Sequence, residues 1–499
     1  MAELEDGKAV KYTLNANGLL VNVVISKKNE FVPTYEVSYP GVGDATKILL
    51  MSLRAELLSL VSIDQTRIQD EKYLKELNRK YKEVASSVID KYLPGISGDN
   101  KEVLLAYMAN VYLGLGDIEV LLVDDNLEEI AVNTAHEPIW IFHVSYGWCK
   151  TNIKLSSEDT IYELAEQVGR RVGREISNLS PIMDAELPDG SRVNATLYPI
   201  SVKGNTITIR KFARNPWSMT ALIANKAISS DLAALIWLSM QNEISILISG
   251  GTASGKTSFL NAMSMFMPPN RRIISVEDTR ELSLPGFLQW IPMQTRQPNP
   301  EGKGEVKLYE LMINALRQRP DIMIIGEIRV KNDAETLFEA IHTGHAVYGT
   351  LHADNAQDTI IRMTNPPIDI PKIMLNSIGG IVSLFRHRRL GIRRMLEFGE
   401  VTNSGDVNVL SRWDIRNDIF LRVGDMARLG QTIGLYGGYS NQEIAQDVGE
   451  KASVLNWMLN NKVIDIDTCG LIVANYYKNP RKVLDIVKEN VPYSKELFG

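Results

Sequence analysis

One stretch constrains the fold of this chain more than any other: ISILISGGTASGKTSFLNAMSMF, residues 244–266. An apolar strand-like run, a glycine-bounded loop and a helical run follow one another without a break. The loop GGTASGKT, residues 250–257, fits G-x-x-x-x-G-K-[ST], and its flanks are the strand and helix the pattern requires. Gly250 and Gly255 let the backbone curl so that its N–H groups converge on an anion, and the helix N-terminus adds positive potential. The candidate phosphate-contacting residues are Gly250, Gly251, Thr252, Ala253, Ser254, Gly255, Lys256, Thr257 and Ser258. Lys256 is expected on the β- and γ-phosphates, and the Thr257 hydroxyl on Mg2+.

The surrounding texture agrees. Apolar strands recur at RIISVE (272–277), DIMIIGE (321–327) and AVYGTLH (346–352), with helical stretches between them. Continuous apolar strands suit a parallel sheet covered on both faces. Ligands of such sheets sit at the carboxyl ends of the strands. Two of these ends carry acids. Glu327 closes DIMIIGE, with Gly326 where a nucleotide hydrolase usually has an Asp. Glu327 is therefore a candidate to orient or deprotonate an attacking water, against the plain alternative of a surface glutamate. Glu277 closes RIISVE, followed by Asp278 and Glu281. Glu277 could hold a metal-bound water or share the base role, while Asp278 or Glu281 could cap a helix.

Three of the six histidines, His342, His345 and His352, fall within eleven positions. Their spacing, H-x2-H-x6-H, is not a common zinc pattern, and no cysteine is near. No stably bound zinc is expected. Thr343-Gly344 ends a helix, and His352 then falls at the carboxyl end of the next strand, facing Lys256 and Glu327. There it could report on phosphate; a satisfied structural histidine is the alternative for all three.

Net charge is −6 and the pI about 5.7, which argues against sequence-independent nucleic-acid binding. The one dense basic cluster, LFRHRRLGIRR (384–394), reads either as two strands with solvated arginines or as a docking surface. Cys149 and Cys469 lie far apart and form no ligand pattern, consistent with two buried thiols in a reducing compartment. The N-terminus MAELEDGK predicts no signal peptide. No apolar run reaches bilayer length.

Residues 10–40 alternate as strands, 46–62 read as an apolar helix, and 66–92 as an amphipathic helix on Tyr73, Leu77, Tyr81, Val84, Val88 and Tyr92. IEVLLVDD and EEIAVNT read as strands and 157–176 as a helix. NATLYPIS and NTITIRKF read as a hairpin around Lys203-Gly204. Ser440 and Glu443 form a capping box that opens a helical C-terminal region. The expected divisions are 1–95, a strand-plus-helix region; 96–213, a mixed α/β domain; 214–222, a linker; 223–430, the phosphate-loop domain; and 431–499, a helical extension.

Four ordered blocks carry a family resemblance: GGTASGKT, VEDTREL, LRQRPDIMIIGEIR and TGHAVYGTLHAD. Together they resemble the secretion ATPases of type II secretion, type IV pili and the archaellum, most closely the archaeal branch. LPDGSRVNATL (187–197) and TITIRKF (206–212) are similar to the family's N-terminal domain segments. The fold class this implies is α/β: a RecA-like ATPase core, a mixed α/β N-terminal domain and helical terminal extensions. The paired CxxC zinc module of the bacterial type II enzymes is absent. The resemblance implies ATP and Mg2+ as cofactors, with Thr257 and Glu277 on the metal side. It implies a homohexameric ring with nucleotide between the two domains, and Arg192 and Arg210 (less well matched, Arg214) approaching the γ-phosphate. His345 and His352 enter the catalytic set by the same resemblance. The ring would act at the cytoplasmic face of the membrane on a polytopic platform protein, building a pilus-like filament or driving secretion. The alternatives are a nucleic-acid translocating ATPase of conjugation type, and a ring scaffold that binds ATP without hydrolysing it.

Overall fold

The computed structural model describes residues 9–16, 18–27, 31–61, 71–96, 98–112, 114–187, 189–212, 215–298, 302–387 and 389–498. The chain divides into two compact units, 1–214 and 215–499. Arg214 lies outside the described residues.

The first unit is built on a sheet of nine described strands: β1 (Ala9–Ala16), β2 (Leu19–Ser26), β3 (Thr34–Ser38), β4 (Leu127–Val132), β5 (Trp140–His143), β6 (Gly147–Thr151), β7 (Ile182–Glu186), β8 (Arg192–Thr196) and β9 (Thr206–Arg210). The order is β1-β2-β3-β6-β5-β4-β9-β8-β7. Pairing is antiparallel except between β3 and β6. The N-terminal strands thus share one sheet with residues 127–210. Buried Asp124 ties the two stretches together, because its Oδ2 accepts from the hydroxyls of Tyr12 and Tyr35, each at 2.6 Å. Such a buried carboxylate is tolerable only when its lone pairs are filled.

IEVLLVDD, expected as a strand, is instead a helix, Asp117–Val123. Its apolar residues Ile118, Val120, Leu121 and Leu122 are all buried, so no alternation distinguishes the two states. Asp117 and Glu119 in the first turn favour the helix by opposing its dipole. The helix expected over 157–176 runs Glu158–Val172, capped by Ser157 and closed by Gly173 at φ 67°.

The second unit holds β10 (Ile246–Gly250), β11 (Arg272–Glu277), β12 (Gln289–Gln294), β13 (Ile322–Ile328), β14 (Ala346–Leu351), β15 (Gly380–His387), β16 (Ile392–Val401), β17 (Val407–Asp414) and β18 (Ile419–Arg422). Their order is β12-β11-β13-β14-β10-β15-β16-β17-β18. The first six are parallel, and the last three extend the sheet antiparallel. One strand, β14, separates the phosphate-loop strand β10 from the acidic strand β13, as in RecA-like cores. β10 and β14 are buried throughout, as their unbroken apolar runs require.

The C-terminal helices are part of this core. Trp457, Cys469 and Tyr476 pack into one cluster with Trp237 and Phe266. The Tyr477 hydroxyl donates to the Phe266 carbonyl at 2.6 Å and accepts from the Trp237 indole N–H at 3.0 Å. Lys451 is buried, paired with Asp447, and lies over the rings of Trp237 and Tyr476. The capping box of Ser440 and Glu443 is present. Both cysteines are buried and free. Among the described residues, no helix is long and apolar enough to cross a membrane.

Candidate functional site

The site lies at the carboxyl edge of the parallel strands. After β10 the chain turns through residues 250–255 and enters the helix Lys256–Met263. Gly255 sits at φ 96°, a conformation closed to most side chains. A Cβ at Gly250 would fall 2.4 Å from Ser254 Oγ and 2.8 Å from the Leu384 carbonyl, so only glycine fits there. Ala253 takes φ 58°, which for a residue with a side chain costs about 1–3 kcal/mol. Non-glycine strain of this kind persists only where neighbours over-determine the backbone. Lys256 Nζ donates to the carbonyls of Gly250 at 2.9 Å and Gly251 at 3.3 Å, folded back along the loop. Burial lowers its pKa, while the charges of Glu327 and Glu281 act to raise it. Thr257 and Ser258 lie in the first turn of the helix.

Glu277 ends β11 and is buried. One carboxylate oxygen accepts from the backbone N–H groups of Glu281 at 2.7 Å and Leu282 at 3.0 Å. The other is buried without a hydrogen-bond partner among the described residues. Burial pushes the carboxyl up to about 7, against the lowering by those two N–H donors. A buried, half-satisfied carboxylate at a strand end is suited to a proton or a metal-bound water. Its folded-state pKa lies above the unfolded value, so the native state binds the extra proton. Its contribution therefore favours the fold below about pH 4.5 and is lost as pH rises through about 7. Accordingly, unfolding midpoints measured between pH 5 and 8 should fall more steeply with pH in the native protein than in Glu277→Gln. Equal slopes would show that Glu277 is ionised throughout.

Glu327 lies at the end of β13, next to β11. Gly326 permits this, since a Cβ there would sit 3.2 Å from the Glu277 Cα. Arg329 clamps Glu327: Nε and one terminal nitrogen donate to a single carboxylate oxygen at 3.0 and 2.6 Å. Its other terminal nitrogen donates to Asp278 at 2.6 Å. Sequence reading missed this arginine, which stands two residues beyond Glu327 and just past the end of β13.

His352 follows β14, and its Nε2 is 3.0 Å from the Thr252 hydroxyl on the phosphate loop. His345 does not join it. It precedes β14 at the amino edge of the sheet, with Nδ1 3.0 Å from the Ala340 carbonyl and the Thr343 hydroxyl. Six residues of extended strand, about 20 Å, separate the two ends. His345, which the family resemblance puts in the catalytic set, thus lies within this unit at the opposite end of β14 from the phosphate loop, since β14 runs parallel to β10. His342, at the end of the helix Lys331–His342, lies on the same far side. The three histidines therefore do not converge on one point. Among the described residues, no group of three or more His, Cys, Asp or Glu is placed to hold a metal ion.

Arg192 and Arg210 belong to the first unit, where they stand directly opposite each other on β8 and β9. Both are exposed, on the face opposite buried Val193 and Ile209. Directly paired like charges repel. Asp184 offsets this by accepting from Arg192 at 3.0 and 2.5 Å, and Glu129 pairs across from Arg210 on β4.

A sequence profile described as Type II/IV secretion system protein matches residues 113–390. An uncharacterized protein of Methanocaldococcus jannaschii is 33% identical over 397 residues, 77% of this chain and 71% of that relative. The type IV secretion system protein PtlH of Bordetella pertussis is 29% identical over 278 residues, 51% of this chain and 81% of its own length. The crystal structure of the pilus retraction motor PilT with bound ADP is 20% identical, with a TM-score of 0.42, covering 76% of this chain and 97% of that one.

Proposed function

The chain belongs to the type II/IV secretion system protein family, and on that premise we propose that it is a Mg-ATP hydrolase. In this reading a homohexameric ring converts hydrolysis into work on a polytopic membrane platform protein, adding subunits to a type IV pilus-like filament (pilus or archaellum) or driving type II-like secretion from the cytoplasmic face. One observation carries the chemistry. The phosphate loop after β10, Glu277 at the end of β11, Glu327 near the end of β13 and His352 after β14 all lie at the carboxyl edge of one parallel sheet.

The loop residues fit a triphosphate: the glycine turn, the helix N-terminus and Lys256 present positive potential at one place. Thr257 would hold Mg2+, with Glu277 on a metal-bound water. The metal, when bound, neutralises charge that develops on the phosphate oxygens. Glu327 would take the proton of the attacking water once Arg329 releases it. His352, bonded to Thr252, would register whether the loop is filled. Arg192 and Arg210 would stabilise the transferring phosphoryl group on domain closure.

Lys256→Ala removes the cation on the β/γ-phosphates. Phosphate release from Mg-ATP should fall to background and nucleotide affinity should drop. Native turnover in that variant would sink the assignment.

A further inference from the structure

The basic cluster of residues 384–394 holds neither solvated arginines alone nor a uniform charged patch. β15 and β16 form a hairpin with described turn residues 389–391, and Arg393 and Arg394 on β16 divide by direction. Arg394 turns inward. It is buried, forks Asp418 through Nε at 2.8 Å and a terminal nitrogen at 2.9 Å, and donates to the Asn225 carbonyl at 3.0 Å. That fixes the hairpin close to its turn. Its neighbour Arg393 must then face the other way. Its Nε donates to the Ala253 carbonyl at 3.1 Å, in the middle of the phosphate loop. Its stem covers Gly255, where a Cβ would meet Arg393 Cδ at 3.6 Å.

A loop that aims its N–H groups inward at an anion turns carbonyls outward, and those carbonyls need partners. Ala253 is the loop's non-glycine residue at positive φ, and its carbonyl is the one that Arg393 fills. On the other side, His352 braces Thr252. We propose that Arg393 is a positioning residue for nucleotide binding: from the β15–β16 hairpin it holds Ala253 in the left-handed conformation that keeps the phosphate loop open to a nucleoside di- or triphosphate. The Arg394–Asp418 fork supplies the rigid mount. This inference rests on the nucleotide reading above and adds to it a residue 140 positions away in sequence.

A loop ordered in advance costs less to organise on binding, so its brace acts on ground state and transition state alike. The effect belongs in affinity. In the full-length protein, Arg393→Ala should weaken ADP binding, measured by titration with a fluorescent ADP analogue, by about fivefold or more. KM for ATP should rise to match, with kcat within about twofold of native. Arg393→Lys, which keeps a charged donor on a long stem, should recover part of the loss. Arg389→Ala, at the exposed hairpin turn, should change neither quantity. The thermal midpoint of each variant separates misfolding from a local effect. Equal ADP affinity in native and folded Arg393→Ala protein would overturn this inference alone. So would a loss confined to kcat, or an Arg389→Ala loss as large as that of Arg393→Ala. A native protein that binds no ADP would overturn the nucleotide reading together with it.

Discussion

Glu327→Gln should retain ATP binding and lose turnover by about 10²-fold or more, the usual contribution of a general base. The amide matches the carboxylate in shape but cannot take the water's proton. The variant also loosens the clamp, since Arg329 would lose the charge it bonds through two nitrogens. Nucleotide binding, followed by titration, should therefore be unchanged or slightly tighter while phosphate release falls. The competing base is Glu277, buried and shifted to about 7. If Glu327→Gln turns over normally and Glu277→Gln is dead, the roles exchange.

Full-length Arg210→Ala should bind Mg-ATP and hydrolyse it about 10³-fold more slowly, the acceleration an arginine supplied from outside the phosphate-loop domain provides. The plain alternative is that Arg210 only answers Glu129 on the neighbouring strand of its own sheet. The variant would then be less stable but turn over normally per folded molecule, which parallel thermal melts and phosphate-release assays distinguish. The second unit alone should behave like Arg210→Ala, and it must be cut at 215–499 rather than at 430. Removing the last helices would strip Trp457, Cys469 and Tyr476 from the core around Trp237.

What could be read from the sequence follows the range of the interactions involved. The strand, loop and helix around GGTASGKT are local, and they appear where expected. So does the Ser440–Glu443 cap, which needs only four residues. The helix Asp117–Val123 reads as a strand in sequence because burial of Ile118, Val120, Leu121 and Leu122 alike erases the period that separates helix from strand. His345 and His352 are close in sequence yet stand at opposite ends of β14, because a strand carries its ends far apart. The bond from Arg393 to Ala253, and those from Tyr12 and Tyr35 to Asp124, join residues 89 to 140 positions apart. No local pattern announces such pairs. Arg329 was within reach of sequence reading, since it stands two residues beyond Glu327.

Under the proposed function, hydrolysis belongs to a ring of subunits rather than to a single chain. Phosphate release by the full-length protein in Mg-ATP, measured per chain across a range of protein concentrations, tests it most directly. Turnover per chain should rise with concentration as rings assemble, then level off, with Lys256→Ala at background throughout. A rate per chain independent of concentration in a monomeric sample, or stoichiometric ATP binding with no phosphate released, would contradict it.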